Sequence, residues 1–388
     1  MGYPSLKVGF HYFRKYFRPI DLYIIFTIFG SMAFKERLAL IKEVGEEIIN
    51  EDELKELLKT KKNPIAYDGF EPSGRIHIAQ GLLRTINVNK LTKSGIKFKF
   101  WVADWFALMN NKMGGDLEKI RTVGEYFIEV WKACGMDLKN VEFLWASEHM
   151  DQEYWLTVIK IGRLNTVKRI TRCAQIMGRS ESANLSAAQI FYPCMQAADI
   201  FHLGVDIAQL GMDQRKVNVL AREIAPKLGK KKPIAIHHHM LMGLTKPQDL
   251  ESKGADAAIA KKMSKSNPNS AIFMNDSPEE IMKKFKKAYC PEGEVENNPV
   301  LEYCKYIVFE KVEKFVIERP KKFGGDIKYK SYKDLEKDYV KKKIHPSDLK
   351  SATAKHIDEL IEPVRNHFKT NKKAKALLVK VRGFEVTK

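Results

Sequence analysis

The sequence predicts an α/β protein: a doubly wound parallel sheet with a helical insertion, followed by a mainly helical C-terminal domain. Three observations carry this expectation. Short apolar runs alternate with helical patterns between residues 63 and 241, a long helical stretch interrupts that alternation near 151–203, and a complete helix start signal at Ser277 marks its end. At 388 residues the chain exceeds one ordinary domain, and 44% hydrophobic residues suffice for real cores.

The first 31 residues stand apart. A basic aromatic stretch, KVGFHYFRKYFRP, precedes the apolar LYIIFTIFG, which is too short to span a bilayer. Residues 1–31 are either a targeting segment in outline or an extension that never joins the fold. From Met32, FKERLALIKEVGEEIINEDELKELLKTKKN has charged and apolar residues at helical spacing and predicts one or two surface helices. NPIAYDGF (63–70) then reads as a strand, EPSGRIHIAQG as a tight turn, and Ile78, Leu82 and Ile86 as the apolar face of a helix that Gly95 stops. IKFKFWVAD (96–104) follows as a second strand, so the unit is βαβ with a right-handed crossover and parallel strands. Helices are predicted over roughly 115–135 and 151–203, and PIAIHHHML (233–241) returns as a strand. In SPEEIMKKFKKAYC, Ser277 is the N-cap, Pro278 opens the first turn and Glu280 closes a capping box. This divides the chain into a domain over 32–273 and a basic, mainly helical one over 274–388.

Charge narrows the partners. With 67 Lys and Arg against 48 Asp and Glu, the formal charge is +19, which favours a polyanion such as RNA or DNA unless it merely reflects a lysine-rich composition. Cys134, Cys173, Cys194, Cys290 and Cys304 lack CxxC pairs or close spacing, which argues against a disulfide framework or zinc site and suits a reducing compartment. His237, His238 and His239 are successive on a predicted strand and so point to opposite faces; no metal site is expected there.

Two places suit phosphate chemistry. His77 sits on the first turn of the helix after the first strand, with Gln80 three residues on and on the same face; a helix N-terminus presents unsatisfied N–H groups to an anion, although a lone histidine there also caps or packs. KKMSKSNPNS (261–270) carries Lys262, Lys265, Ser264 and Ser266 without apolar periodicity, as in a solvated loop or a basic clamp that closes over a leaving group. The string KMSKS arises by chance in such a chain less than about once in a thousand. Tyr192, Gln196 and Asp199, in steps of four and three, place polar groups on one helical face among Ile190, Phe191, Met195, Ala197, Ala198 and Ile200, as a binding stripe or a buried hydrogen-bond network. Pro193 interrupts that pattern and is placed to kink the helix.

HIAQ followed by KMSKS on an α/β framework resembles the two signatures of class I aminoacyl-tRNA synthetases. AYDGFEPSGRIHIAQ, FYPCMQAADI, GMDQRK and HPSDLK narrow the resemblance to the archaeal and eukaryotic type of tyrosyl-tRNA synthetase, in order and spacing from about residue 33 to the C-terminus. The resemblance implies a Rossmann-like domain over 32–273 whose helical insertion forms a homodimer interface, and an anticodon-binding domain over 274–388. It implies ATP as substrate with Mg²⁺ accompanying it, no prosthetic group, L-tyrosine and tRNA(Tyr) as partners, no membrane, and a cytoplasmic setting unless residues 1–31 target an organelle.

Residue by residue, the resemblance places Tyr67 and Asp199 at the substrate phenol and Tyr192, Gln196 and Gln214 at its α-amino group. His77, Gln80, Lys262 and Lys265 would act on the phosphates. Gly69, Gly211 and Asp213 would lie by the nucleotide, Met240 and Leu241 by the adenine, and Met263, Ser264 and Ser266 in the closing loop. Arg215 would meet the acceptor end of the tRNA, and Phe323, His345, Pro346 and Asp348 the anticodon. The first signature departs from the usual His-x-Gly-His: Ala79 replaces the glycine and Gln80 the second histidine, which leaves Lys262 and Lys265 as the main cations for the phosphates. Two other readings fit the same residues. One is a tryptophanyl-tRNA synthetase, although Asp199 with Tyr67 favours a phenol over an indole; the other is a synthetase-like RNA-binding protein without catalysis.

Overall fold

Six strands build the central sheet of the computed structural model, which describes residues 33–177, 184–247, 263 and 268–384. They are β1 (Gly45–Ile49), β2 (Ile65–Phe70), β3 (Lys97–Val102), β4 (Val141–Trp145), β5 (Ile207–Gly211) and β6 (Ile234–His238), in the spatial order β1-β6-β5-β2-β3-β4. β2 to β6 are mutually parallel, and β1 closes one edge antiparallel to β6. The chain winds from β2 through β3 to β4 in one direction and from β5 to β6 in the other. The switch point therefore lies between β2 and β5, where doubly wound sheets hold their ligands beyond the carboxyl ends of the strands.

The predicted βαβ unit is present, with β2 and β3 in parallel register from Ile65 opposite Lys97 to Phe70 opposite Val102. Ile78, Leu82 and Ile86 are all buried, and Gly95 takes the left-handed φ of +89° that makes it a stop. The connection differs from the expected simple helix start. His77 forms a β-bridge with Phe273, and the first turn, Ala79–Leu83, is a π-turn that feeds the α-helix Arg84–Lys93. Packing sets this turn, because a Cβ on Gly81 would come within 2.6 Å of Met274 Cγ.

Three strands of the central sheet escaped the sequence reading. The segment expected as one or two surface helices is two helices, Phe34–Val44 and Glu51–Thr60, with β1 between them. β4 and β5 lie at either end of the predicted insertion. The insertion itself breaks into helices Gln152–Arg163, Val167–Thr171 and Ala187–His202. Pro193 lies inside the last of these, which runs on as one helix of 16 residues.

Ser277 caps the helix Pro278–Lys287 as expected: its hydroxyl accepts from the Glu280 N–H at 3.2 Å while the Glu280 carboxylate takes the Ser277 N–H at 2.7 Å. The region beyond is helical apart from a small antiparallel pair, β7 (Phe315–Ile317) and β8 (Ile327–Tyr329), and ends in the helices Pro346–Thr370 and Lys372–Gly383. One hydrophobic core continues from the sheet into this region, and a second fills the space beneath the insertion around Tyr67, Trp101, Phe106, Tyr154 and Met195. Among the described residues, no helix is long and apolar enough to cross a membrane.

Candidate active site

In the middle of β2, alternation of side chains sends Tyr67 to the insertion side and Asp68 to the helix Arg84–Lys93 side. Tyr67 is fully buried, and its hydroxyl donates to the Gln196 carbonyl at 3.4 Å. The helix Ala187–His202 brings Tyr192, Gln196 and Asp199 along one buried face, as the four-and-three spacing predicts.

Asp199 is not alone. Tyr154, from the helix Gln152–Arg163, directs its hydroxyl to Asp199 Oδ1 at 2.9 Å, with the Met195 carbonyl also within reach at 3.0 Å. Burial drives the Asp199 carboxyl well above its ordinary range, and the Tyr154 hydroxyl opposes that shift. Burial, joined by the field of Asp199, also raises Tyr67, so its phenol stays protonated and able to donate.

The other end of the stripe is a polar chain. Tyr192 donates to Glu71 at 2.7 Å; Glu71 also takes both carboxylate contacts from Asn110, at 3.1 and 3.2 Å, with Lys112 at 3.7 Å. Gln196 donates to Gln214 at 3.0 Å, and Gln214 in turn to the Ile176 carbonyl at 3.2 Å. Glu71 and Tyr154 were missed in the sequence. Glu71 stands beside the signature in GFEPSG, whereas nothing in QEYWL marks Tyr154.

At the first signature, the Gln80 N–H lies 3.4 Å from His77 Nδ1, and the Gln80 carbonyl accepts from Trp131 Nε1 at 2.8 Å. Gln80 Oε1 is buried without a partner in the protein. Gly69 is the penultimate residue of β2, and its N–H donates to Asp68 at 2.8 Å. Gly211 ends β5 where the backbone must approach closely, since a Cβ there would meet Asp213 Oδ1 at 2.7 Å and the Met240 sulfur as well. Met263, the methionine of the second signature, is buried, and its N–H donates to the Leu241 carbonyl at 3.1 Å. That bond ties Met263 to the segment that follows β6. Lys262, Ser264, Lys265 and Ser266 lie outside the described residues.

Beneath this region is a buried ion pair that the sequence reading did not find. Arg84 Nε sits 2.8 Å from Asp68, its Nη2 donates to the Gln209 carbonyl at 3.0 Å, and its guanidinium lies over the Phe98 ring at 5.1 Å. Burial pushes Asp68 up to about 7, with the Arg84 charge opposing. The pair joins β2 to β5 across the switch point.

The three histidines diverge. His237 bonds Glu47 at 2.8 Å and Asn218 at 3.0 Å, His238 faces Gln209 at 3.1 Å, and His239 lies between Glu46 and Glu302. Glu47 also receives Arg215, whose Nε reaches both carboxylate oxygens at 2.9 Å. The residues assigned to an anticodon sit elsewhere. Phe323 is 61% exposed on a 3₁₀ turn under Lys322, His345 caps the helix Pro346–Thr370 by accepting the Ser347 N–H at 3.2 Å, and Asp348 lies in that helix's first turn.

A doubly wound sheet with a histidine-bearing turn after its first parallel strand, and with Met263 bonded to Leu241 just beyond β6, is the core of a class I aminoacyl-tRNA synthetase. Residues 59–362 match the family model described as tRNA synthetases class I (W and Y). The chain is 53% identical to the cytoplasmic tyrosine–tRNA ligase 1 of Arabidopsis thaliana, over 92% of this chain and 91% of that protein. The Leishmania major tyrosyl-tRNA synthetase solved with tyrosinol is 46% identical, with a TM-score of 0.82 over 91% of this chain; this chain spans 61% of that one. The Pyrococcus horikoshii tyrosyl-tRNA synthetase solved with L-tyrosine is 40% identical, with a TM-score of 0.82 over 90% of this chain and all of that one. The chain belongs to the tyrosyl-tRNA synthetases of this class I family.

Proposed function

We propose that the chain activates L-tyrosine with ATP and transfers it to tRNA(Tyr). A tyrosine carboxylate oxygen attacks the α-phosphorus of ATP, the bond to pyrophosphate breaks, and tyrosyl-adenylate forms. A terminal ribose hydroxyl of the tRNA then attacks the acyl carbon, and AMP leaves. No enzyme nucleophile is needed, so the rate comes from alignment and from charge stabilisation around the phosphates.

The observation that carries this reading is the polar stripe in an otherwise apolar wall. Tyr67 and Asp199, the latter held by Tyr154, would meet the substrate phenol; Tyr192, Gln196 and Gln214, backed by Glu71, would hold its α-amino group. His77, Gln80, Lys262 and Lys265 would act on the phosphates. Gly69, Gly211, Asp213, Met240, Leu241, Met263, Ser264 and Ser266 would surround the nucleotide. Mg²⁺ enters with ATP and neutralises phosphate charge.

Residues 274–388 would read the anticodon, with Phe323 stacking on a base and His345, Pro346 and Asp348 beside it. Arg215 would meet the acceptor end. Trp155, Leu156, Ile159 and Val167 of the insertion are exposed, between 37% and 64%, and are the apolar surface we assign to a homodimer interface. We take the cytoplasm as the site of action, after the name of the Arabidopsis relative.

Pyrophosphate exchange tests the substrate: tyrosine should drive it, and exchange driven by tryptophan instead would assign the chain to the other branch of the family. No exchange with either amino acid would favour a non-catalytic RNA-binding protein. Lys265→Ala should lower the rate of adenylate formation by roughly a hundredfold or more while leaving tyrosine affinity within about twofold, as expected for a group that acts on the transition state. Equal losses of rate and affinity in single-turnover and equilibrium-binding measurements would exclude that role.

A further inference from the structure

Between the segment that opens the first signature and the last helix lies a cleft of about 760 Å³, lined by none of the residues assigned above to tyrosine, ATP or tRNA. Arg75 enters from the signature side, Arg382 from the helix Lys372–Gly383, and Asn275 and Ser277 from the segment that joins the two regions. Val381 and Phe384 form its apolar side.

The polar groups there are incompletely committed. The Arg75 guanidinium lies over the Phe273 ring at 4.1 Å and touches Asp276 only at 3.5 Å. Arg382 gives one N–H to the Asn275 carbonyl at 3.1 Å. Asn275 is 5% exposed; its Oδ1 accepts from Tyr126, while its Nδ2 is buried and has no partner. One carboxylate, Glu280, lines the cleft and closes the cap on Ser277, and Asp276, which touches Arg75, pairs with Lys284. Two guanidinium forks and an unpartnered amide therefore line the cleft from separate parts of the chain. A buried amide N–H without an acceptor is costly, and guanidinium groups match the paired oxygens of a phosphate.

We propose that this cleft binds a backbone phosphate of the tRNA, held by Arg75 and Arg382 with the Asn275 amide completing the set. The proposal rests on the aminoacylation reading above, which supplies the RNA. A diester phosphate suits the cleft because it brings one negative charge with two unesterified oxygens. The net charge of +19 independently calls for a polyanionic partner.

The test measures tRNA affinity across a salt series for the full chain and for Arg75→Ala, Arg382→Ala and Arg382→Lys, with tyrosine-driven pyrophosphate exchange measured without tRNA. Each alanine variant should weaken tRNA binding by about five- to tenfold and reduce the slope of log affinity against log salt by about one. Arg382→Lys should keep the slope and recover part of the affinity, and exchange by the Arg382 variants should match the parent. Unchanged affinity and slope in both alanine variants would overturn the proposal. So would saturable binding of inorganic phosphate or pyrophosphate that Arg382→Ala abolishes while tRNA binding stays intact, since the cleft would then serve a free anion. Absence of exchange in the parent chain, with tRNA binding still dependent on the two arginines, would instead remove the aminoacylation reading and leave the phosphate site standing.

Discussion

Asp199→Ala should lower kcat/KM for tyrosine in pyrophosphate exchange by roughly a hundredfold, while phenylalanine-driven exchange hardly changes. The substrate phenol would lose a buried acceptor, and a lost hydrogen bond to such a group is worth about 1.5–3 kcal/mol, or one to two decades. Tyr154 retains the Met195 carbonyl at 3.0 Å, so the damage falls on the substrate rather than on Tyr154. Tyr154→Phe should therefore have a smaller effect of the same kind, because it frees Asp199 to turn without removing it. Selectivity is the decisive reading: an unchanged ratio of tyrosine to phenylalanine exchange in Asp199→Ala would place the phenol elsewhere. Stability should move the other way. The folded carboxyl is raised above its unfolded value, so it detracts from stability at every pH above the ordinary carboxylate range and not below it. Asp199→Asn should therefore raise the melting temperature at pH 7, and the gain should fade as the pH falls toward 4.

His239→Gln should destabilise the protein and raise the KM for ATP. His239 bridges Glu46 and Glu302, each at 3.1 Å, and stacks on Tyr306 with ring centroids 4.2 Å apart. Lys305, over the Tyr306 ring at 4.8 Å, is the other charge nearby. Burial lowers the imidazole, but the two carboxylates outweigh it and bring the group up to about 9. A raised folded value stabilises fully below the unfolded value near 6.5 and loses that contribution as the pH rises through about 9. The difference sets an upper bound of roughly 3 kcal/mol. Denaturation from pH 6 to 10 should show the parent losing stability in that window and the variant showing a flatter profile. The same Glu302 carboxylate accepts the Met242 N–H at 3.0 Å, directly after Met240 and Leu241. Loosening it should weaken ATP binding about threefold to tenfold with tyrosine binding unaffected, in line with one buried hydrogen bond. Equal melting profiles for parent and variant above and below pH 7 would mean that the imidazole is not charged in the fold.

Much of the fold was legible because the strands that announce themselves are apolar runs punctuated by glycine or proline: IAYDGF before the turn, KFKFWV after Gly95, IAIHH after Pro233. β4 and β5 were hidden by their brevity and by Glu142 and Gln209, and β1 by a stretch, GEEII, that fits helical spacing as well as alternation. The helix Ala187–His202 yielded its stripe because helical periodicity alone places Tyr192, Gln196 and Asp199 together. Tyr154 could not be found that way, since it meets Asp199 from forty-five residues away through the packing of two helices. Arg84 was hidden for a related reason: it looks like a surface charge in a polar run, and only its burial against Asp68 and Phe98 gives it a role. The π-turn at Ala79–Leu83 has no signature of its own; it follows from contact with Met274, nearly two hundred residues away.

That contact bears on how such a molecule can be rebuilt. The segment 271–276 belongs to both halves: Ile272 accepts the Ile78 N–H at 2.8 Å, Met274 donates to Ile76 at 3.1 Å, and Asp276 is held by Lys284 of the next helix. Farther on, Phe368 packs on Tyr126 with ring centroids 5.3 Å apart, and His367 bonds Glu129 at 2.8 Å. A chimaera spliced at residue 273, joining the sheet-bearing half of this chain to the C-terminal half of a distant cousin, would inherit an unmatched seam along the first signature itself. Exchange of modules is open only to partners whose linker and last two helices have kept the same surface. The heritable unit is the pair.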